Sequence, residues 1–295
     1  MSSYLTRLRK EQLTTGRDRT EDRLFINQLF DGQTLRDGLY LRCTFANISF
    51  KSATLDHVRF SACVFEDCYF RETTIKDCKF SGTRFINCDF IKPTISGCDV
   101  KYARFKGCFP PFDEMDQNLP GEWNIRAAMA ANLSAEAASA GDAKEARKYL
   151  LDSIRSNERH LKAAFDPKTK YYQDHFPRWR HRWRAFRGLV FSRMNGFIWG
   201  YGERGLALLR SVFLTVLLFF ALFWITQESI HTTAGHEANV GDWAWLSAAS
   251  IVSNSGATGL TVDGWARAFV LLEGGAGLLL LGLFVTYVYR AVTRR

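Results

Sequence analysis

From Leu35 onward a large apolar residue recurs at every fifth position: Leu35, Tyr40, Phe45, Phe50, Leu55, Phe60, Phe65, Phe70, Ile75, Phe80, Phe85, Phe90, Ile95, Val100 and Phe105. A period of five fits neither an α-helix, which turns every 3.6 residues, nor a strand, whose faces alternate every 2. It fits a chain that lays down a short rung, turns a corner and repeats. A second period of twenty is nested in the first. One column reads Phe45, Phe65, Phe85, Phe105 and another Phe50, Phe70, Phe90; a third reads Leu35, Leu55, Ile75, Ile95 and a fourth Tyr40, Phe60, Phe80, Val100. Four rungs therefore make one coil, and like side chains stack on the coil below. At the spacing of paired strands, nearly four coils make a rod roughly 18 Å tall, with a core that no single coil buries alone.

These inward residues, each with a small residue two positions earlier, resemble the pentapeptide-repeat family, which implies a quadrilateral β-helix over residues 31–109. The resemblance is specific for fold and nearly silent on function. Several soluble members of that family are thought to mimic DNA with an acidic surface. Here residues 31–109 carry twelve Lys/Arg against nine Asp/Glu, a poor basis for mimicry. Repeat stacks need closed ends. In the N-terminal segment 1–30, Thr20 to Phe30 is the expected cap, with Glu21 and Asp22 in a first helical turn; Pro110 and Pro111 stop the repeats at the other end.

All seven cysteines (Cys43, Cys63, Cys68, Cys78, Cys88, Cys98, Cys108) sit two residues before a repeat centre, a register shared with Ala53, Val58, Thr73 and Ala103. A metal or redox site is one reading. A small buried side chain lining the core is favoured, because free cysteine suits that role and no C-x-x-C pair occurs.

After the repeats, residues 110–176 read as a cytoplasmic helical linker. Asp142 is an N-cap candidate, and Ala143, Ala146, Leu150, Ile154, Leu161 and Phe165 form a helical stripe. Residues 177–205 read as an interfacial amphipathic helix and elbow, with Pro177 as the first helical residue. Trp179, Trp183, Phe186, Val190, Met194 and Phe197 follow at spacings of three and four, while Arg178, Arg180, Arg182, Arg184 and Arg187 place five arginines within ten positions. A basic amphipathic helix with Trp on its apolar face suits a membrane interface. Nucleic-acid binding is the competing reading, and the apolar span that begins soon afterwards favours lipid.

The chain as a whole passes for soluble, with 23% charged residues, but apolar residues concentrate after position 205. Leu206–Thr226 and Ala268–Tyr289 are each long enough to cross ~30 Å of hydrocarbon; Arg210 interrupts the first and Glu273 the second. Ten Lys/Arg lie between Lys168 and Arg210, and Arg290, Arg294 and Arg295 follow the second span, whereas none lies between Thr226 and Ala266. The positive-inside rule then places both ends in the cytoplasm, and the expected location is a cell membrane, the bacterial inner membrane. The first twenty residues carry no apolar signal-peptide core. Within the connector, Trp243–Val252 is apolar but too short to span, as in a re-entrant half-helix. The hydroxyl- and glycine-rich stretch Ser253-Asn254-Ser255-Gly256-Ala257-Thr258-Gly259 follows it.

Residues 120–295 resemble the two-transmembrane pore domain of the potassium-channel superfamily. Trp245-Leu246-Ser247 match the opening of the pore helix, and Leu271-Leu272-Glu273-Gly274 through Leu283-Phe284-Val285 match the closing run. Bacterial members that fuse pentapeptide repeats to such a pore share the phrase Gly200-Tyr201-Gly202-Glu203-Arg204. The resemblance implies a homotetrameric ion channel with Ser253 to Gly259 as the selectivity filter. The family's Thr-X-Gly-Tyr-Gly element is absent, so potassium selectivity is not inherited; weakly selective cation conduction is expected, with anion conduction or a non-conducting membrane scaffold as alternatives. Glu273, ionisable within a span, is read as a support for the loop in preference to an ion site. Gly274, Gly275, Gly277 and Gly282 permit close packing or act as a gating hinge.

The predicted fold is therefore mixed: a pentapeptide β-helix (31–109), a helical linker, the interfacial helix, and a two-helix transmembrane pore domain with a re-entrant loop (206–295). Expected partners are membrane lipids, further copies of the chain, permeant inorganic ions and a cytoplasmic ligand of the solenoid. Nucleic acid, a cofactor and a metal are not expected. His231, His236 and Glu237 read as a solvated outer loop in preference to a metal site. The histidines are scattered and no nucleotide loop or H-E-x-x-H occurs, so enzymatic activity is not expected.

Overall fold

In the computed structural model, which describes residues 9–13, 19–202, 205–232, 238–252 and 259–293, the corners of the coil are made by left-handed backbone two positions after each inward residue. Asp22, Asn27, Asp37, Asn47, Asp67, Asp77 and Asn87 have φ between 50° and 55° there. Asn, Asp and Gly tolerate that conformation best, which explains their recurrence at these positions.

Residue n then pairs in parallel with residue n + 20. Phe25, Phe45, Phe65, Phe85 and Phe105 form one column, and Leu35, Leu55, Ile75 and Ile95 another. Tyr40 pairs with Phe60 on a third face, and the bridges Ser49–Tyr69–Asp89 mark the fourth. This is a right-angled β-solenoid of about four turns. Its rings stack face to face, with centroids 4.6 Å apart for Phe45–Phe65 and 5.2 Å for Phe65–Phe85. Successive faces meet edge-on, as Phe65 and Phe70 do at 5.5 Å. Both geometries suit the quadrupole of the rings.

The expected N-terminal helical cap is instead another coil. Arg19–Glu21 and Arg23–Leu29 are strands paired with Leu39–Leu41 and Thr44–Ser49, and Phe25 stacks on Phe45 at 4.9 Å. Asp22 stands at a left-handed corner, where its carboxylate accepts from Arg42 at 2.7 Å. Thr20, Phe25 and Phe30 continue the five-residue period backwards from Leu35 and carry the sequence signal for this coil.

At the other end the chain leaves the stack at Pro110–Pro111 and forms α1 (Phe112–Met115), followed by a 3-10 turn, Asp116–Asn118. Then come α2 (Trp123–Ser139) and α3 (Ala143–Phe165), packed together as a hairpin. Side chains of these helices take the place of a further strand. The Asn132 amide both accepts from Phe105 N (3.2 Å) and donates to Phe105 O (3.1 Å). Asn118 does the same for Cys98 N and Ile95 O, while Glu136 accepts from Gly107 N and Glu114 from Ile95 N. Arg126 joins Asp116 to Asp152 beneath the hairpin. Asp142 caps α3 by accepting from Glu145 N at 3.0 Å. The fully buried positions of α3 are Tyr149, Ser156 and Ala164; Tyr149 and Ala164 each stand one residue before a member of the predicted apolar stripe, whose members are half-buried or exposed. A buried tyrosine explains the offset: the Tyr149 hydroxyl donates to Pro110 O at 2.9 Å, so the helix turns its aromatic face to the solenoid end.

The short helix α4 (Lys170–His175) and then α5 (Trp179–Trp199) follow. Pro177 precedes α5 by two residues; Arg178 O accepts the first helical bonds. Two compact units divide within α5, at Phe186 and Arg187. In the second unit, α5 ends at a turn in which Gly200, Tyr201 and Gly202 all have positive φ. There follow α6 (Gly205–Ile225), α7 (Val240–Ser250) and α8 (Gly264–Thr293), each packed on the other two. A short antiparallel pair, Ile230–Thr232 with Leu260–Val262, ties the connector together.

Candidate site around the short helix between two apolar helices

The two long helices are apolar for enough residues to cross a membrane: Gly205–Ile225 and, within α8, Gly264–Tyr289. Only 28% and 17% of their most apolar windows is buried, so leucines such as Leu206, Leu271 and Leu279 lie open. Arg210, near the start of α6, folds back: its guanidinium donates to Phe197 O and lies 4.3 Å from the Phe197 ring centroid. Gly205 and Gly196 make room for the rings of Tyr287 and Tyr201, which would touch a Cβ at 2.8 and 2.5 Å. This gives a steric reason for glycines flanking the phrase at 200–204.

Against these helices sits α7, eleven residues long and therefore ~16 Å, about half a bilayer's hydrocarbon. It begins at Val240, five residues before the predicted opening at Trp245. The start is set by a capping box: Asn239 accepts from Asp242 N at 3.2 Å, and Asp242 accepts from Asn239 N at 2.9 Å. Trp243 and Leu246 are buried with Phe219, Phe223, Ile230 and Ala266.

Glu273 is fully buried. Its Oε1 lies 2.5 Å from the Ser247 hydroxyl, which also lies 3.1 Å from Val216 O; one serine thereby touches both long helices. One turn on, a Cβ at Gly277 would meet Ile251 O at 1.7 Å, so only glycine fits. A Cβ at Gly275 or Gly282 would meet nothing within 4 Å, and Gly274 is half-buried; α8 runs unbroken through all four. Three buried polar atoms at this helix, Trp243 Nε1, Ser250 Oγ and Glu273 Oε2, have no hydrogen-bond partner among the described residues. An apolar cavity of about 260 Å³ lies beside its end, lined by Leu208, Val212, Ile251, Gly277, Leu281 and Phe284.

Of the predicted loop, Ser253, Asn254, Ser255, Gly256, Ala257 and Thr258 lie outside the described residues, as do His236 and Glu237. Gly259 is left-handed, with φ 68°, and leads into the Leu260–Val262 strand. The predicted interface residues, Arg178 just before α5 and Trp179, Arg180, Trp183, Arg184 and Arg187 on it, are all exposed, Trp179 to 67% and Trp183 to 53%. The helix is fastened in the first unit by Ala185, which packs on Ala164 and Tyr172, and by Arg182, whose Nε donates to Phe165 O at 2.8 Å.

The seven cysteines are buried and free. Each thiol faces a carbonyl of the adjacent coil, as Cys68 Sγ does Phe45 O at 3.4 Å, and most also face the carbonyl two residues earlier in their own coil, as Cys68 Sγ does Glu66 O at 3.4 Å; Thr73 and Thr83 make the inter-coil bond with hydroxyls. Hydrogen bonding to the stacked sulfur, and then burial, push the Cys63, Cys78 and Cys108 thiols well above their usual range. Asp56, His57 and Asp77 form a group with metal-ligating side chains that the sequence pattern does not single out. It is largely exposed, and Asp56 is already held by Arg36 at 2.8 Å. The Asp56 hydrogen bond, at 2.6 Å, holds His57 above its usual value.

The first unit is thus a pentapeptide-repeat β-solenoid with a helical cap, and the second contains two membrane-length helices around a short one. Comparison with known proteins agrees for the solenoid: residues 40–109 match the family described as pentapeptide repeat region. Among solved structures, the chain is similar to trypsin-treated QnrB1, a plasmid-mediated fluoroquinolone resistance protein. The identity is 14% over 33% of this chain and 70% of that one, with a TM-score of 0.14. No curated protein matches.

Proposed function

We propose that the chain is one subunit of a homotetrameric ion channel with a cytoplasmic pentapeptide-repeat domain, conducting cations with weak discrimination. The observation that carries this reading is α7, a capped helix of half-membrane length held between two apolar helices by a buried carboxylate. A membrane anchor needs spans alone. The low burial of α6 and α8 supports lipid as their surroundings, since the core helix of a soluble protein is mostly covered. The one-sided Lys/Arg distribution supports cytoplasmic termini, and exposed Trp179 and Trp183 among arginines suit anionic headgroups at the interface.

The C-terminal end of α7 carries partial negative charge, and the stretch Ser253 to Gly259 begins just beyond it. Carbonyl and hydroxyl oxygens there replace part of a cation's hydration shell. Unpartnered buried polar atoms are costly, so Ser250 Oγ and Glu273 Oε2 favour a polar neighbour at this end of α7. One copy cannot enclose a path, and a closed ring of identical subunits can.

The test is reversal-potential measurement of the purified chain in planar bilayers under asymmetric potassium chloride, with Asn254→Ala and Gly256→Ala alongside. Reversal near the potassium potential, small potassium-over-sodium preference and altered currents in the variants are expected. Reversal at the chloride potential overturns the charge sign. A silent monomer in detergent and lipid overturns the channel and leaves a membrane-anchored scaffold.

A further inference from the structure

A cavity of about 500 Å³ opens in the first unit beside the last coil, within the range of small-molecule sites. Four aromatic residues from three elements line it: Tyr102 at a coil corner, Trp123 at the start of α2, and Tyr171 and Tyr172 in α4. Tyr102 and Tyr171 are 62% and 45% exposed. Tyr171 is nevertheless held: the His175 ring stacks on it at 4.3 Å, and the Asn124 amide donates to its hydroxyl at 3.4 Å.

Charge at the cavity favours an anion. Lys101 lines it, with its ammonium 5.5 Å from the Tyr102 ring centroid, and the Arg159 guanidinium lies 4.6 Å over Trp123. Glu122, the one lining carboxylate, is ion-paired with Lys101, and Arg159, outside the lining, stands over a lining ring as the second cation. An ammonium has three donors, so this pair leaves Lys101 able to bind a second acceptor. Glu122 makes no side-chain cap on the seventeen-residue α2, so the first-turn N–H groups beside the cavity add partial positive charge. Rings alone would take an uncharged aromatic, and cations alone a simple anion. Their convergence calls for a planar ring bearing negative charge.

We propose that this cavity binds a nucleotide, with the base on the Tyr102, Trp123 and Tyr171 rings and the phosphate at Lys101 and Arg159. The proposal stands on the first unit and does not depend on conduction. It is tested by isothermal titration calorimetry of the purified full-length chain in detergent with AMP, GMP and UMP. Adenosine, guanosine, uridine and inorganic phosphate serve as the separate halves. At least one nucleotide is expected to bind with Kd below about 1 mM. Its nucleoside and phosphate should each bind at least about tenfold more weakly, and Tyr171→Ala and Arg159→Gln should each weaken the nucleotide about tenfold. Tyr102→Ala, at an exposed corner, repeats the test without touching the helices. Absence of binding by all three nucleotides, equal binding of phosphate alone, or affinity unchanged in all three variants overturns the proposal.

Discussion

The Ser247 hydroxyl of α7 lies 2.5 Å from a carboxylate oxygen of Glu273 in α8, and four residues further along both helices Ile251 O closes on Gly277. The two contacts share one interval, so the helices run side by side for a full turn. The first contact needs polarity and the second needs the absence of a side chain.

Gly277→Ala should therefore destabilise the second unit by roughly 1–3 kcal/mol, the usual cost of overpacking. Gly275→Ala, with open space around it, should be neutral or stabilising by up to about 1 kcal/mol through helix propensity. Thermal midpoints in one detergent decide the matter; equal effects would contradict the close approach.

In the solenoid, Phe65 is fully buried between Phe45 and Phe85. Phe65→Ala should cost roughly 3–5 kcal/mol, clearly more than Cys88→Ala. The same burial predicts that a maleimide labels none of the seven cysteines until the protein unfolds. Rapid labelling of native protein would show that the thiols are open.

His160 Nδ1 lies 2.9 Å from the Tyr172 hydroxyl, and burial holds its pKa below the usual 6.5. The unfolded chain then takes up the proton first, so stability is full above about pH 6.5 and falls as the pH drops below it. His160→Gln removes this dependence. Thermal midpoints of the two proteins should diverge progressively below about pH 6.5; parallel pH profiles would count against the burial of this ring.

Orientation is open to labelling, and the buried native thiols supply a silent background. A membrane-impermeant maleimide added outside intact cells should label His236→Cys and miss Lys170→Cys. The opposite pattern would invert the topology.

The rungs are legible in the sequence because an inward residue at every fifth position leaves little freedom of register. The first coil, from Arg19 to Leu29, shows the limit: Phe25 and Phe30 carry the period, but Thr20 is polar and a helical reading of Glu21–Asp22 competes with it. The start of α7 is also readable, since Asn239 and Asp242 have capping-box spacing, although the apolar run from Trp243 onward is the louder signal. By contrast, nothing in the order of residues distinguishes Gly277 from Gly275, or assigns Ser247 to Glu273. Those depend on how two helices cross, a quantity that periodicity does not encode.

Parallel coils in register give a stack no inherent last member, because the exposed edge of one coil is a template for the next. The amides of Asn132 and Asn118 occupy that edge as a strand backbone would, and Glu136 and Glu114 take two more of its N–H groups. Removing the helical cap that carries these four side chains would leave the edge able to receive another molecule's first coil, and head-to-tail filaments would grow by the same twenty-residue rule that builds the rod. The finite length of the solenoid is thus enforced at this end by a few polar side chains that act as a terminator of polymerisation.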